Sequence, residues 1–125
     1  MSSNELLHAS PHPFSRAARI AVIGGLERHE AEIERRAGAR GHVVEFHRGR
    51  VGGRHAAELE AMVLRCDLAI IVTQVNSHGA MYIAKRAATR YGRPALIVRS
   101  GSPSSISTIL ESLAAPSPVR VAAGA

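Results

Sequence analysis

A chain of 125 residues is long enough for one domain with a core and too short for two. With 46% hydrophobic and 21% charged residues it has an ordinary globular composition, and no apolar run is long enough to span a bilayer. Its formal net charge of +6 is almost wholly arginine, with Lys85 the lone lysine, and its single cysteine, Cys66, excludes an internal disulfide or a multi-cysteine zinc or iron–sulfur site.

A basic balance can serve nucleic acid, membrane lipid or an anionic small molecule. Here the arginines are scattered and aromatics make up 3%, so the stacking platforms that single-stranded nucleic acid needs are missing. A bias toward Arg and Ala in the composition explains the total equally well. The first residues, MSSNELLHASPHPF, lack a basic start followed by an apolar segment, so a cytoplasmic location is expected.

Residues 1–18 hold Pro11 and Pro13 without periodicity and are expected to be a flexible lead. Arg19–Ile23 is an apolar strand ending at Gly24-Gly25. Leu26–Ala37 has helical spacing, with Leu26, Ile33 and Ala37 on one side. His42–His47 is a second strand, followed by a Gly-rich loop. His55–Cys66 is a helix with Ala56, Leu59, Val63 and Cys66 on one face. Leu68–Thr73 is a continuous apolar run, as expected of a strand covered on both faces. Ser77–Tyr91 is a helix with Ser77 as cap and Gly92 as stop. Pro94–Arg99 is a fourth strand and Ser104–Ala114 a last helix, before a tail over 115–125. This alternation predicts one α/β domain over 19–114: a small parallel four-stranded sheet of order 2-1-3-4 with helices on both faces, flavodoxin-like or Rossmann-like.

Seven histidines are the unusual chemical resource. His8 and His12 fall in the lead. His42 and His47, five residues apart on a strand, point to opposite faces, and no predicted helix holds an HxxxH pair, which disfavours a conventional zinc site. His47 and His78 fall at the carboxyl ends of strands, and His29 lies near the same edge. In an open parallel sheet that edge is where ligands bind, so three imidazoles are expected to approach one crevice. Taken singly, each is more simply a surface histidine. His78, Tyr82 and Lys85 share one helical stripe, which is a site or else a half-buried phenol beside a solvated ammonium. Arg99, Ser100 and Ser102 begin a loop whose amides, hydroxyls and helix start suit an anion, although ordinary capping uses the same residues. Gly24-Gly25 lacks the full dinucleotide pattern, and Thr73-Gln74 stands where a phosphoryl-accepting domain needs an aspartate. Cys66, on an apolar helix face, reads as core.

These pieces together resemble the bacterial domain-of-unknown-function family 2325, over roughly residues 19–113. The resemblance is carried by Gly24-Gly25, the histidine after the second strand, V-N-S-H at 75–78, Lys85, Y-G-R-P at 91–94 and R-S-G-S-P-S-S at 99–105. The chain departs from it at Phe46-His47-Arg48-Gly49, where the family often has H-H-D-G, and in lacking a cysteine common in the third helix. The resemblance implies a small α/β protein that binds haem b and dioxygen as a homodimer. Haem needs one neutral imidazole, an apolar slot and polar groups for its propionates. His78 is then the first choice of axial ligand, followed by His29 or His47, with Tyr82, Lys85, Arg99, Ser100 and Ser102 around the cofactor. The alternative is a regulatory module that binds an anionic small molecule or nucleotide at the carboxyl edge of the sheet. An enzyme using His78 as general base ranks last, because only Glu27, Glu30 or Glu45 is near enough in the fold to orient it.

Overall fold

The computed structural model describes Glu5–Leu6 and residues 17–114. The strands are β1 (Glu5–Leu6), β2 (Arg19–Ile23), β3 (Val43–His47), β4 (Leu68–Val72) and β5 (Ala95–Val98). The helices are α1 (Glu30–Gly38), α2 (His55–Arg65), α3 (His78–Tyr91) and α4 (Pro103–Ala114), and a single 3-10 turn, Glu27–His29, leads into α1. The sheet order is β1-β5-β4-β2-β3. Pairings β3–β2, β2–β4 and β4–β5 are parallel, which is the expected 2-1-3-4 arrangement. To it the structure adds β1, pairing antiparallel with β5 through Glu5 opposite Ile97 and Leu6 opposite Leu96. A two-residue strand has too little alternation to be seen in sequence. His8, His12 and the 115–125 segment lie outside the described residues.

Alternation along each strand sends side chains to two cores. Ile20, Val22, Leu68, Ile70 and Val72 face α1 and α4, meeting Ile33, Ala37, Ile106 and Leu110. Ala21, Ile23, Ala69 and Ile71 face α2 and α3, meeting Leu59, Val63, Ala80, Ala84 and Ala88. β4 is buried along its whole length because it has a paired strand on each side and helices on both faces. Four buried alanines on α3 let that helix lie close to the sheet. Ser77 caps it, the hydroxyl accepting the Ala80 N–H at 3.0 Å, and Gly92 ends it at φ 65°. No helix among the described residues is long and apolar enough to cross a membrane.

The face assignments place a gap at the carboxyl edge of the sheet. β2 and β4 are neighbours, yet the chain leaves β2 for α1 on one face and β4 for α3 on the other. Divergent connections between adjacent parallel strands leave a crevice outside their ends.

Candidate functional site at the carboxyl edge

Asn76 fills the centre of that gap. Its Nδ2 donates to the Val72 carbonyl at 2.7 Å and the Ile23 carbonyl at 3.2 Å, joining the ends of β4 and β2. Its Oδ1 accepts the Ser77 N–H at 2.8 Å, and the Ser77 hydroxyl donates to the Gly49 carbonyl at 2.6 Å. The side chain is packed so closely that a Cβ on Gly24 would stand 2.6 Å from its Nδ2, and one on Gly49 would collide with its Oδ1. Both glycines also have positive φ, 95° and 86°, which an L side chain rarely adopts. Asn76 and Ser77 thus act as a clasp between three loops. The sequence motif contains both, but nothing local signals that the amide bridges strands nearly fifty residues apart in sequence; only their adjacency in the sheet does.

Beside the clasp lies a crevice of about 50 Å³. Its walls are Gly25, Leu26 and His29 after β2, Gln74 and Val75 after β4, and Ser100, Gly101 and Ser102 after β5. Val75 stands at φ 50°, 56% exposed, with its carbonyl held by the Gly25 N–H at 3.0 Å. A β-branched residue in the left-handed region is a genuine outlier. The serines after β5 also have local partners: the Ser102 hydroxyl accepts the Ser105 N–H at 3.2 Å and contacts the Ser105 hydroxyl at 3.0 Å, while the Ser102 N–H donates to Ser100 Oγ at 3.2 Å. Ser102 is therefore the cap of α4, with Pro103 pre-set for its first turn. Arg99 is exposed beside this loop.

The histidines separate. His29 lines the crevice. His78, exposed, begins α3 and makes no side-chain hydrogen bond among the described residues. The three carboxylates considered as its partners are taken by arginines: Glu27 and Glu30 by Arg48, Glu45 by Arg19 and Arg65. Tyr82 and Lys85 lie further along α3 on an open groove, where Arg86 stacks over the Tyr82 ring at 5.6 Å.

His47, only 8% exposed, is braced at both nitrogens. Nδ1 accepts the Gly49 N–H at 3.1 Å, which leaves the proton on Nε2, 3.1 Å from the His55 carbonyl. Burial pushes its pKa below the ordinary histidine value, so the ring is neutral at neutral pH. His55 in turn places Nδ1 3.4 Å from Glu58 Oε1, one helical turn along. His47, His55 and Glu58 form a potential metal-coordinating cluster, with one ligand atom from each within 4.8 Å of the others. A search of the sequence for paired histidines misses it, because one histidine ends a strand and the other two ligands share the first turn of the next helix. The visible signal is the His–x–x–Glu spacing at 55–58.

The chain matches, over residues 19–113, the family described as an uncharacterized protein conserved in bacteria. It belongs to the DUF2325 family. No curated protein and no solved structure matches it. Arg48 ties the loop after β3 to the 3-10 turn that leads into α1, through Glu27 at 2.6 Å.

Haem b, expected from the DUF2325 resemblance, does not fit this structure. A 50 Å³ crevice holds one or two waters at roughly 30 Å³ each, against roughly 300–1,000 Å³ for sites that enclose a cofactor-sized ligand. Two larger grooves among the described residues, about 410 and 380 Å³, run along α2 and α3 and are lined by no histidine. Among the described residues there is no aromatic cluster to wall a macrocycle; the one ring pair is His47 against His55, edge-on at 84°. Iron and dioxygen binding through His78, with His29 or His47 as second choices, is overturned with it. The reason is packing: the Asn76 clasp and the close approach of Gly101 to Val72 fill the space that the topology alone leaves open.

Proposed function

We propose that this domain is a regulatory module that binds the anionic group of a small molecule, such as a phosphorylated metabolite or nucleotide, at the crevice between the ends of β2, β4 and β5. The observation that carries this reading is Val75. An exposed valine held at φ 50° costs roughly 1–2 kcal/mol, and such strain concentrates at binding sites and switches. The crevice sits at the topological switch point; His29 lines one side and the Ser100–Ser102 loop another, and the exposed Arg99 immediately precedes that loop. Its small volume limits the enclosed part of the ligand to a single phosphoryl or carboxylate group, with the remainder lying outside over Gln74 and Val75.

The test is a thermal-shift panel of inorganic phosphate, nucleoside mono-, di- and triphosphates and sugar phosphates. A ligand at a hundredfold excess over its Kd adds about 2.7 kcal/mol, a shift of several degrees in a domain of this size. The shift should disappear in Arg99→Ala and in His29→Ala, which removes the imidazole that lines the crevice. A silent panel, or a shift indifferent to both substitutions, overturns the reading.

A further inference from the structure

We propose that His47, His55 and Glu58 bind one divalent transition-metal ion of the zinc class, at a site separate from the crevice. The three ligands, two imidazoles and a carboxylate, suit zinc and leave a fourth position open to water or to an anionic group. Tetrahedral ligands about 2.0–2.1 Å from zinc stand roughly 3.4 Å apart. The His55 Nδ1 to Glu58 Oε1 distance is already 3.4 Å, and all three atoms lie within 4.8 Å, so closure needs a side-chain shift of about an ångström. His47 is buried, and its Nε2 offers a lone pair once the proton it carries moves to Nδ1. His55 and Glu58 face solvent more openly, which gives the ion its entry path. The positive end of α2 opposes a cation there, and the Glu58 charge offsets it.

The present hydrogen bonds make the proposal specific. His47 Nε2 carries the proton, because Nδ1 accepts from Gly49. A metal taking Nε2 requires that proton to move, through solvent, to Nδ1. Both existing bonds of the ring then break: Nε2–H to the His55 carbonyl, and the Gly49 N–H to Nδ1. Gly49 is the residue whose carbonyl accepts the Ser77 hydroxyl, so the ion perturbs the loop that abuts the clasp. Metal binding therefore has a signature that an incidental surface histidine pair lacks: the Gly49 amide loses its partner.

The experiment titrates zinc chloride into the chelator-stripped full chain, by calorimetry and by amide hydrogen exchange. One equivalent should bind. His55→Ala and Glu58→Gln, both at solvent-accessible side chains, should each weaken that equivalent at least about tenfold. His78→Ala should leave it unchanged. The Gly49 amide should exchange faster with zinc present. Absence of saturable binding overturns the proposal, as does binding that survives both substitutions or that leaves Gly49 exchange unaltered. Running the phosphate panel on the same stripped protein keeps this outcome distinct from that of the crevice reading.

Discussion

Asn76 occupies the gap that opens where the chain leaves β2 toward one face of the sheet and β4 toward the other. Each amide hydrogen of its Nδ2 meets a strand-end carbonyl, Ile23 on β2 and Val72 on β4. Asn76→Ala should therefore destabilise the fold by about 2–3 kcal/mol, from the loss of the two Nδ2 bonds and the Oδ1 bond to Ser77 N–H, as read by urea unfolding. Val75, the next residue back, has the opposite sign. Val75→Gly removes a left-handed penalty of about 1–2 kcal/mol and adds back about 0.5–1 of glycine's chain entropy. A net gain of roughly half to one kcal/mol in the same assay, together with weaker ligand binding, is the outcome expected of strain held for function. A loss of stability would mean that the valine side chain packs usefully where it stands.

At the scale of elements, Ser77 does two jobs. It caps α3 through the Ala80 N–H and donates its own hydrogen to Gly49 in the loop after β3. A cap alone is worth about 1 kcal/mol. Ser77→Ala should exceed that figure, reaching about 2 kcal/mol, while Ser77→Asn should recover the cap and not the loop contact. Hydrogen exchange localises the difference: faster exchange confined to the first turn of α3 marks the cap, and exchange extending to residues 49–53 marks the loop. Helix limits of this kind were legible in the sequence, because caps and stops are local. Ser77 and Gly92 bound α3 as read, and the continuous apolar run of β4 predicted its cover on both faces. The pairing of β1 with β5 was not legible, since it depends on a neighbour ninety residues away.

For the whole molecule, buried histidines make stability depend on pH. His42, 6% exposed, accepts the Ala18 N–H at Nδ1, and burial, then the nearby Arg40 charge, holds its pKa below the ordinary 6.5. The folded state therefore prefers the neutral ring. The contribution is fully present above about 6.5, and is lost progressively as the pH falls from there toward the depressed folded value. Urea midpoints taken between pH 8 and pH 5 should decline with acidification, and His42→Gln should flatten part of that decline; an unchanged slope would locate the effect elsewhere. The thiol of Cys66 titrates in the other direction. Burial first, then the Glu45 carboxylate, pushes it up to about 12, so it belongs to the core and has no role as a nucleophile.

The sequence by itself determined the α/β architecture, the order of the four parallel strands and the edge at which the crevice opens. These follow from hydrophobic period, caps and connection rules, all of which act over a few residues or by topology. The tertiary structure decided what that edge can hold. Three histidines near one edge looked like a shared crevice, but side-chain direction and packing sent His29 to a small cleft, left His78 in solvent and locked His47 between Gly49 and His55. Cavity volume depends on how Asn76, Gly101 and Val72 interlock across strands that are distant in sequence. No local pattern encodes that distance. Haem was therefore a fair expectation from resemblance that close packing overturned, while the His47–His55–Glu58 cluster came into view only once a strand end and a helix start were placed side by side.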